Sequence, residues 1–267
     1  MDGVGYIMIK LSKRLQLIAD YVTAGSRIAD IGSDHAMLPV YLLQIDKCPS
    51  AIAGELNRGP YEAARKQGAD AGLSSRLTVR QGDGLSVLQP GEADTVTIAG
   101  MGGSLMSDIL EAGYMAGKLE GVKELVLQPN VGEELVRAWL LQRGWFLAQE
   151  CITEEDGKIY EIMHAVRSRE IDALNAQLYN GDFLPLELPK ETEFAVLKQM
   201  GPHLLRNPQP IFIKKWRHEL DKLERICNQL SGSDLPESAQ KLEQFKAEIN
   251  VLEEVLKCLP MVKPLSN

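Results

Sequence analysis

From Ile28 to Arg143 the chain runs through five strand segments in βα-type alternation, and then breaks into two extended runs joined by an Asp-Gly turn. This order constrains the fold more than any other feature. Alternating strands and helices build a parallel sheet with helices on its faces, and a terminal hairpin adds antiparallel strands to it. The predicted strands cover residues 28–31, 50–56, 77–80, 94–99 and 124–127. Helical spacing of apolar residues predicts helices over 36–43, 60–71, 104–112 and 132–143, with Pro39 in a first turn and Ser104 as an N-cap. A further helix, over 11–22, precedes the first strand. The extended runs are 145–153 and 158–166, and Asp156-Gly157 between them is a strong hairpin signal.

Five βα repeats closed by a hairpin resemble the class I (Rossmann-like) methyltransferase sheet, whose last strand is inserted antiparallel between its neighbours. Another doubly wound α/β fold with an antiparallel edge has the same element order. Four turns at the carboxyl ends of successive strands converge on one sheet edge, where α/β proteins bind nucleotides. The first carries Asp30, Gly32, Asp34 and His35. A pyrophosphate site wants G-x-G-x-x-G here, but this turn has one glycine and then an acid. A nucleoside without phosphates needs no further glycines, and carboxylates favour a cationic one. S-adenosylmethionine meets both conditions; an ordinary αβ turn with a capping aspartate would read the same way.

Glu55 lies 23 positions after Gly32 (55 − 32), at the tip of the second strand, where an acid can accept both ribose hydroxyls. Leu56 and Asn57 complete that turn. Asp83, between Gly82 and Gly84, can accept from an adenine amino group. Gly100, Met101, Gly102 and Gly103 lie where class I methyltransferases, which the element order resembles, place the wall toward a substrate. Together the acids would make a negative cleft that suits a sulfonium and disfavours a phosphate-rich ligand. Each also reads as a solvated turn carboxylate, and His35 reads either as a polar contact to cofactor or substrate or as a local hydrogen-bonder. Gln128 and Asn130, after the fifth strand, can read a base edge through their amides or cap their own loop. No Asn-Pro-Pro-Tyr follows the fourth strand, and Cys48-Pro49 is misplaced for attack on a pyrimidine ring. A substrate atom with its own lone pair, such as a ring nitrogen, remains, and alignment then does most of the catalysis.

The 267-residue chain carries a net charge of −8, which would disfavour nucleic acid if it were evenly spread. It is not. Lys10, Lys13 and Arg14 cluster near the start, and Arg206, Lys214, Lys215, Arg217, Lys222 and Arg225 dominate a later segment. Both groups read as phosphate contacts or as solvated helix faces. No apolar run reaches the roughly 18 residues of a membrane span, and the first thirteen residues lack a leader pattern. Four cysteines, far apart, predict reduced thiols with neither disulfides nor a metal site. The expectation is a soluble cytoplasmic protein, monomeric, bound to no membrane.

Gly181, Pro185 and Pro189 break the stretch 167–190 into a linker with short helical pieces. A helix over 193–200 is expected to end at Gly201-Pro202, and Pro208 and Pro210 mark a boundary. Trp216, Leu220, Leu223, Cys227 and Leu230 then alternate spacings of four and three, as do Leu242, Phe245, Ile249, Leu252, Leu256 and Leu259. With Ser231-Gly232-Ser233-Asp234-Leu235-Pro236 between them, these runs predict a coiled-coil-like α-helical hairpin. The expected domains are residues 1–168, and 169–267 with linker and hairpin.

Several motifs together resemble the bacterial tRNA (adenine(22)-N1)-methyltransferase family, the TrmK family. They are Leu11-Ser12-Lys13-Arg14-Leu15, Ala29-Asp30-Ile31-Gly32-Ser33-Asp34-His35, Gly82-Asp83-Gly84, Ile98-Ala99-Gly100-Met101-Gly102-Gly103, Gln128-Pro129-Asn130 and Glu154-Glu155-Asp156-Gly157-Lys158. The resemblance implies S-adenosylmethionine as cofactor and transfer of its methyl group to N1 of an adenine in tRNA. Met37 departs from it, standing where an aromatic residue is expected. In this frame Asp34 and Asn130 become the expected catalytic residues. Asp30, Gly32, His35, Glu55, Leu56, Asn57, Asp83, Gly84, Ala99, Gly100, Met101 and Gly102 would hold the cofactor. Lys13, Arg14, Gln128, Lys214, Lys215 and Arg217 would hold the tRNA. A small-molecule methyltransferase and a non-catalytic tRNA-binding protein are the alternatives.

Overall fold

A computed structural model describes residues 8–232 and 236–259 of the chain. The start of the segment searched for a leader, and Ser233-Asp234-Leu235 of the polar loop, lie outside the described residues. The chain divides into two compact units between Asn175 and Ala176.

In the first unit seven strands form one sheet in the order β3-β2-β1-β4-β5-β7-β6. β1 (Ile28–Ile31), β2 (Ala51–Glu55), β3 (Leu77–Gln81), β4 (Thr95–Met101) and β5 (Glu124–Pro129) run parallel. β1 and β5 are buried along their whole length, as strands covered on both faces must be. The hairpin strands β6 (Phe146–Glu155) and β7 (Lys158–Val166) follow, and β7 lies antiparallel between β5 and β6. Asp156 and Gly157 take φ of 49° and 74°, the left-handed pair of a tight hairpin turn. The class I sheet expected from the element order is therefore the observed one.

Helices α1 (Lys13–Tyr21), α2 (Met37–Gln44), α3 (Arg58–Asp70), α4 (Gly103–Met115) and α5 (Glu133–Gln142) accompany this sheet. α1 starts two residues later than its apolar pattern because Ser12 caps it, its Oγ accepting from the Leu15 amide at 3.3 Å. Ser104 does not cap α4. That helix starts one residue earlier, after extended Gly102, whose carbonyl accepts the first helical bond from the Met106 amide at 2.9 Å.

α6 (Ile171–Leu178) crosses the division between the units. The second unit contains α7 (Lys190–Met200), α8 (Pro202–Arg206), α9 (Pro210–Ser231) and α10 (Pro236–Cys258). Gly201-Pro202, expected only to end a helix, also begins α8, since proline at a first helical position loses no hydrogen bond. α9 and α10 pack on one another and bury Phe212, Trp216, Leu220 and Cys227 from the first helix and Leu252 and Val255 from the second. The helical hairpin expected from the two apolar stripes is present.

Candidate functional site

After β1 the chain enters a left-handed run: Gly32, Asp34, His35 and Ala36 have φ of 69°, 42°, 66° and 57°. Three non-glycine residues in this region are costly and persist only where their surroundings hold them. Here the holding groups are beneath the turn. The Gly32 and Ser33 amides both donate to the Gly54 carbonyl, at 2.9 and 3.3 Å. Asp30, buried, accepts from the Ser33 hydroxyl at 2.6 Å and from the Thr97 hydroxyl at 2.5 Å. Burial pushes its carboxyl above the usual range, and the two hydroxyls and Arg14 pull it back. Asp30 is thus the anchor of the turn, with both oxygens engaged. Asp34 and His35 stand outward, His35 Nε2 lying 3.5 Å from Asp34 Oδ1.

Glu55 ends β2 beside this turn and is only 6% exposed. The Asp34 amide donates to its carboxylate, yet Oε1 has no hydrogen-bond partner among the described residues. Burial, and then the neighbouring Asp30 and Asp34, raise its pKa. An unpaired buried acceptor is unfavourable unless water or a ligand completes it. Leu56 next to it is exposed, an apolar surface beside the acceptor. Asn57 occupies the N-cap of α3, but its side chain makes no capping bond.

Asp83 is exposed at the start of a 3₁₀ turn, Gly84–Val87, and Gly84 has φ of 50°. A cavity of about 470 Å³ opens between that turn and α4, lined by Asp83, Gly84, Leu105 and Ile109 among others. β4 carries a bulge between Ala99 and Met101, with Gly100 at φ 77°. Met101 closes on the first turn: a Cβ on Gly32 would sit 2.3 Å from its Cε.

The loop after β5 is tied to this bulge by side-chain amides. Gln128 is fully buried. Its Oε1 accepts from Arg14 Nη1 at 2.6 Å and from the Gly100 amide at 3.2 Å. Its Nε2 donates to the Pro129 carbonyl at 2.9 Å and to Asn130 Oδ1 at 3.1 Å. Asn130 Nδ2 donates to the Gly100 carbonyl at 2.8 Å. Gln128 therefore does not present its amide to a base as expected: every polar position on it is taken. Arg14 gives one guanidinium N–H to Gln128, and its guanidinium carbon lies 5.3 Å from the centre of the Tyr160 ring. Lys13 is exposed on the first turn of α1. Lys214, Lys215 and Arg217 belong to α9 of the second unit, where Lys215 Nζ lies 5.7 Å from the Trp216 ring.

Asp30, Gly32, Asp34, His35, Glu55, Gly100, Met101, Gln128, Asn130 and Arg14 thus form one connected arrangement at the carboxyl edge. Sequence reasoning missed Ser33 and Thr97. The signal for Thr97 was a hydroxyl in the apolar run of β4, level with Asp30 in the neighbouring strand.

The family model of the tRNA (adenine(22)-N(1))-methyltransferases, TrmK, matches residues 28–254. The chain belongs to this family. It is 42% identical to the Bacillus subtilis (strain 168) tRNA (adenine(22)-N(1))-methyltransferase over 249 residues, which is 93% of this chain and 98% of that protein. The crystal structure of the B. subtilis TrmK superposes with a TM-score of 0.82, covering 93% of this chain and 99% of that one. A Streptococcus pneumoniae relative, solved in complex with S-adenosyl-L-methionine, is 35% identical with a TM-score of 0.75, covering 92% of this chain and all of its own.

In this TrmK family member the loops after β4 and β5 meet at Gly103, where a Cβ would lie 2.0 Å from the Gly132 carbonyl oxygen. Gly103→Ala must push the loop after β5 away. The expected result is a loss of about 1–3 kcal/mol in stability, typical of overpacking, together with a fall in turnover larger than any change in cofactor affinity. Thermal unfolding and cofactor titration check it; an unchanged midpoint would refute it.

Proposed function

We propose that this chain transfers the methyl group of S-adenosylmethionine to N1 of adenine 22 in tRNA, acting in the cytoplasm as a monomer. The observation that carries the reading is Glu55: a buried carboxylate with one oxygen unpartnered, beside a single-glycine turn. Those are the groups a ribose without phosphates needs, and family membership supplies the reaction. Glu55 accepts the two ribose hydroxyls. Leu56, Asn57, Asp83 and Gly84 surround the adenine, and Asp30 with Gly32 shapes the turn under the amino-acid end, where His35 and Asp34 stand. Ala99, Gly100, Met101 and Gly102 form the wall between donor and target.

The cofactor, when bound, supplies an electrophilic methyl group. Adenine N1 brings its own lone pair, so no general base is required before attack. In a paired tRNA that lone pair is occupied, so the base must be extruded. The product is cationic, and the Asp34 carboxylate stabilises the charge as it grows. Asn130 meets the base edge. Lys13 in the first unit, and separately Lys214, Lys215 and Arg217 in the second, contact phosphates, which the acidic total allows because only local charge matters.

The test is to incubate the protein with methyl-labelled donor and an unmodified tRNA transcript, digest, and map the label. One methyl group on N1 of adenine 22, and none on a transcript with guanine there, is the expected outcome. Label on free nucleosides would favour small-molecule chemistry instead. Absence of any calorimetric signal with S-adenosylmethionine would favour a non-catalytic tRNA binder.

A further inference from the structure

The amides of Gln128 and Asn130 form a chain whose polarity is set at both ends by groups that cannot reverse. Arg14 is a donor only, and so is the Gly100 amide; both point at one atom of Gln128, which must be its oxygen. The Pro129 carbonyl is an acceptor only, so the atom facing it is the Gln128 nitrogen. That nitrogen also faces Asn130, which must answer with its own oxygen, and the Asn130 nitrogen must then face the Gly100 carbonyl. The sense of the exposed Asn130 amide is thereby dictated by groups behind it, the most distant of them on α1.

We infer that Gln128, backed by Arg14, is a positioning residue that locks the Asn130 amide so that its oxygen offers a remaining lone pair to the exocyclic amino group of the target adenine. The inference deepens the proposed function and rests on it. An oxygen acceptor at the amino group suits N1 chemistry. It leaves N1 without a hydrogen bond, and it draws amino hydrogen density as positive charge develops over the ring. A reversed amide would put a donor against a donor. Gln128 itself is buried and touches no reacting atom. It also holds the Gly100 amide, so the coupling to Asn130, and not the single loss, is what distinguishes positioning from a residue that merely holds the fold.

The test is a double-mutant cycle on the full chain, read as single-turnover methylation of saturating tRNA alongside cofactor affinity by calorimetry. Gln128→Leu and Asn130→Ala are each expected to slow turnover about 100-fold, the scale of a misplaced contact, with cofactor affinity unmoved. The double variant is expected to be no slower than the slower single one, because the second change has nothing left to disturb. Losses that multiply to about 10⁴-fold, or a Gln128→Leu protein with wild-type turnover, would overturn the positioning role.

Should Gln128→Leu fail to fold, Gln128→Glu serves. Its carboxylate puts an acceptor against Asn130 Oδ1, and protonation restores a donor there. Its rate relative to wild type is expected to rise as pH falls, and a ratio independent of pH overturns the proposal. A wild-type chain that methylates no tRNA would overturn the functional reading together with this one, whereas an active wild type with multiplied losses overturns this one alone.

Discussion

Arg137→Met is expected to cost about 3–5 kcal/mol of unfolding free energy and to lower the melting midpoint by on the order of 10 °C. Arg137 projects from α5 between the hairpin strands. It donates to Glu150 of β6 through Nε at 2.7 Å and pairs with Glu161 of β7. All three side chains are fully buried. Each charge was taken out of water at a cost that its opposite charges in the triad help to offset. Removing the cation alone leaves two buried carboxylates without the counter-charge they share. The triple variant Arg137→Met, Glu150→Leu, Glu161→Leu removes every charge at once and should recover most of the loss. Circular dichroism melts of the two variants distinguish these cases; a single variant as stable as wild type would show that the triad is not the clamp described. The consequence reaches the site, because β7 pairs directly with β5, whose end carries Gln128 and Asn130.

What could be read from the residues follows from how local each signal is. Asp156-Gly157 announced the hairpin because a two-residue turn is decided by the two residues in it. The spacing from Gly32 to Glu55 survived into the structure because one βα unit has a nearly fixed length. The Asp34-His35-Ala36 run was not legible in the sequence: aspartate and histidine tolerate positive φ better than most residues but do not demand it, and alanine disfavours it; what holds the turn beneath it is Asp30 with Ser33 and Thr97, one of them on another strand. For the same reason the two readings of Gln128, base edge or loop cap, stayed open, and the loop cap is the one its bonds to Pro129 and Asn130 support. Its partner Arg14 lies 114 positions away and meets it only once α1 has docked. Ser104 looked like a cap by residue type, but the cap of α4 is Gly102, whose backbone carbonyl takes the first helical bond.

Glu55 carries the largest expected effect on the cofactor. Charge-assisted hydrogen bonds contribute about 1.5–3 kcal/mol each, so losing two to a ribose in Glu55→Ala should weaken S-adenosylmethionine binding about a hundredfold or more. Glu55→Gln keeps one acceptor and should fall between. The dependence on pH follows from the raised pKa of this carboxyl, whose ordinary value is 4.5. A raised value means that the folded protein holds the proton more tightly than the unfolded chain does. The contribution of Glu55 to stability is thus present below the ordinary value and lost as pH rises through the raised one. Ligand hydroxyls act in the opposite sense, because they donate to the ionised form. Cofactor affinity should therefore improve as pH climbs through that window, and Glu55→Gln should flatten the change. The same substitution removes a buried charge with an unpartnered oxygen, so the ligand-free variant should melt higher than wild type while binding the cofactor more weakly. Calorimetric titrations across the window, paired with melts in the absence of ligand, read both quantities. An amide variant that binds as tightly as wild type, with an unaltered pH profile, would mean that the ribose is held elsewhere.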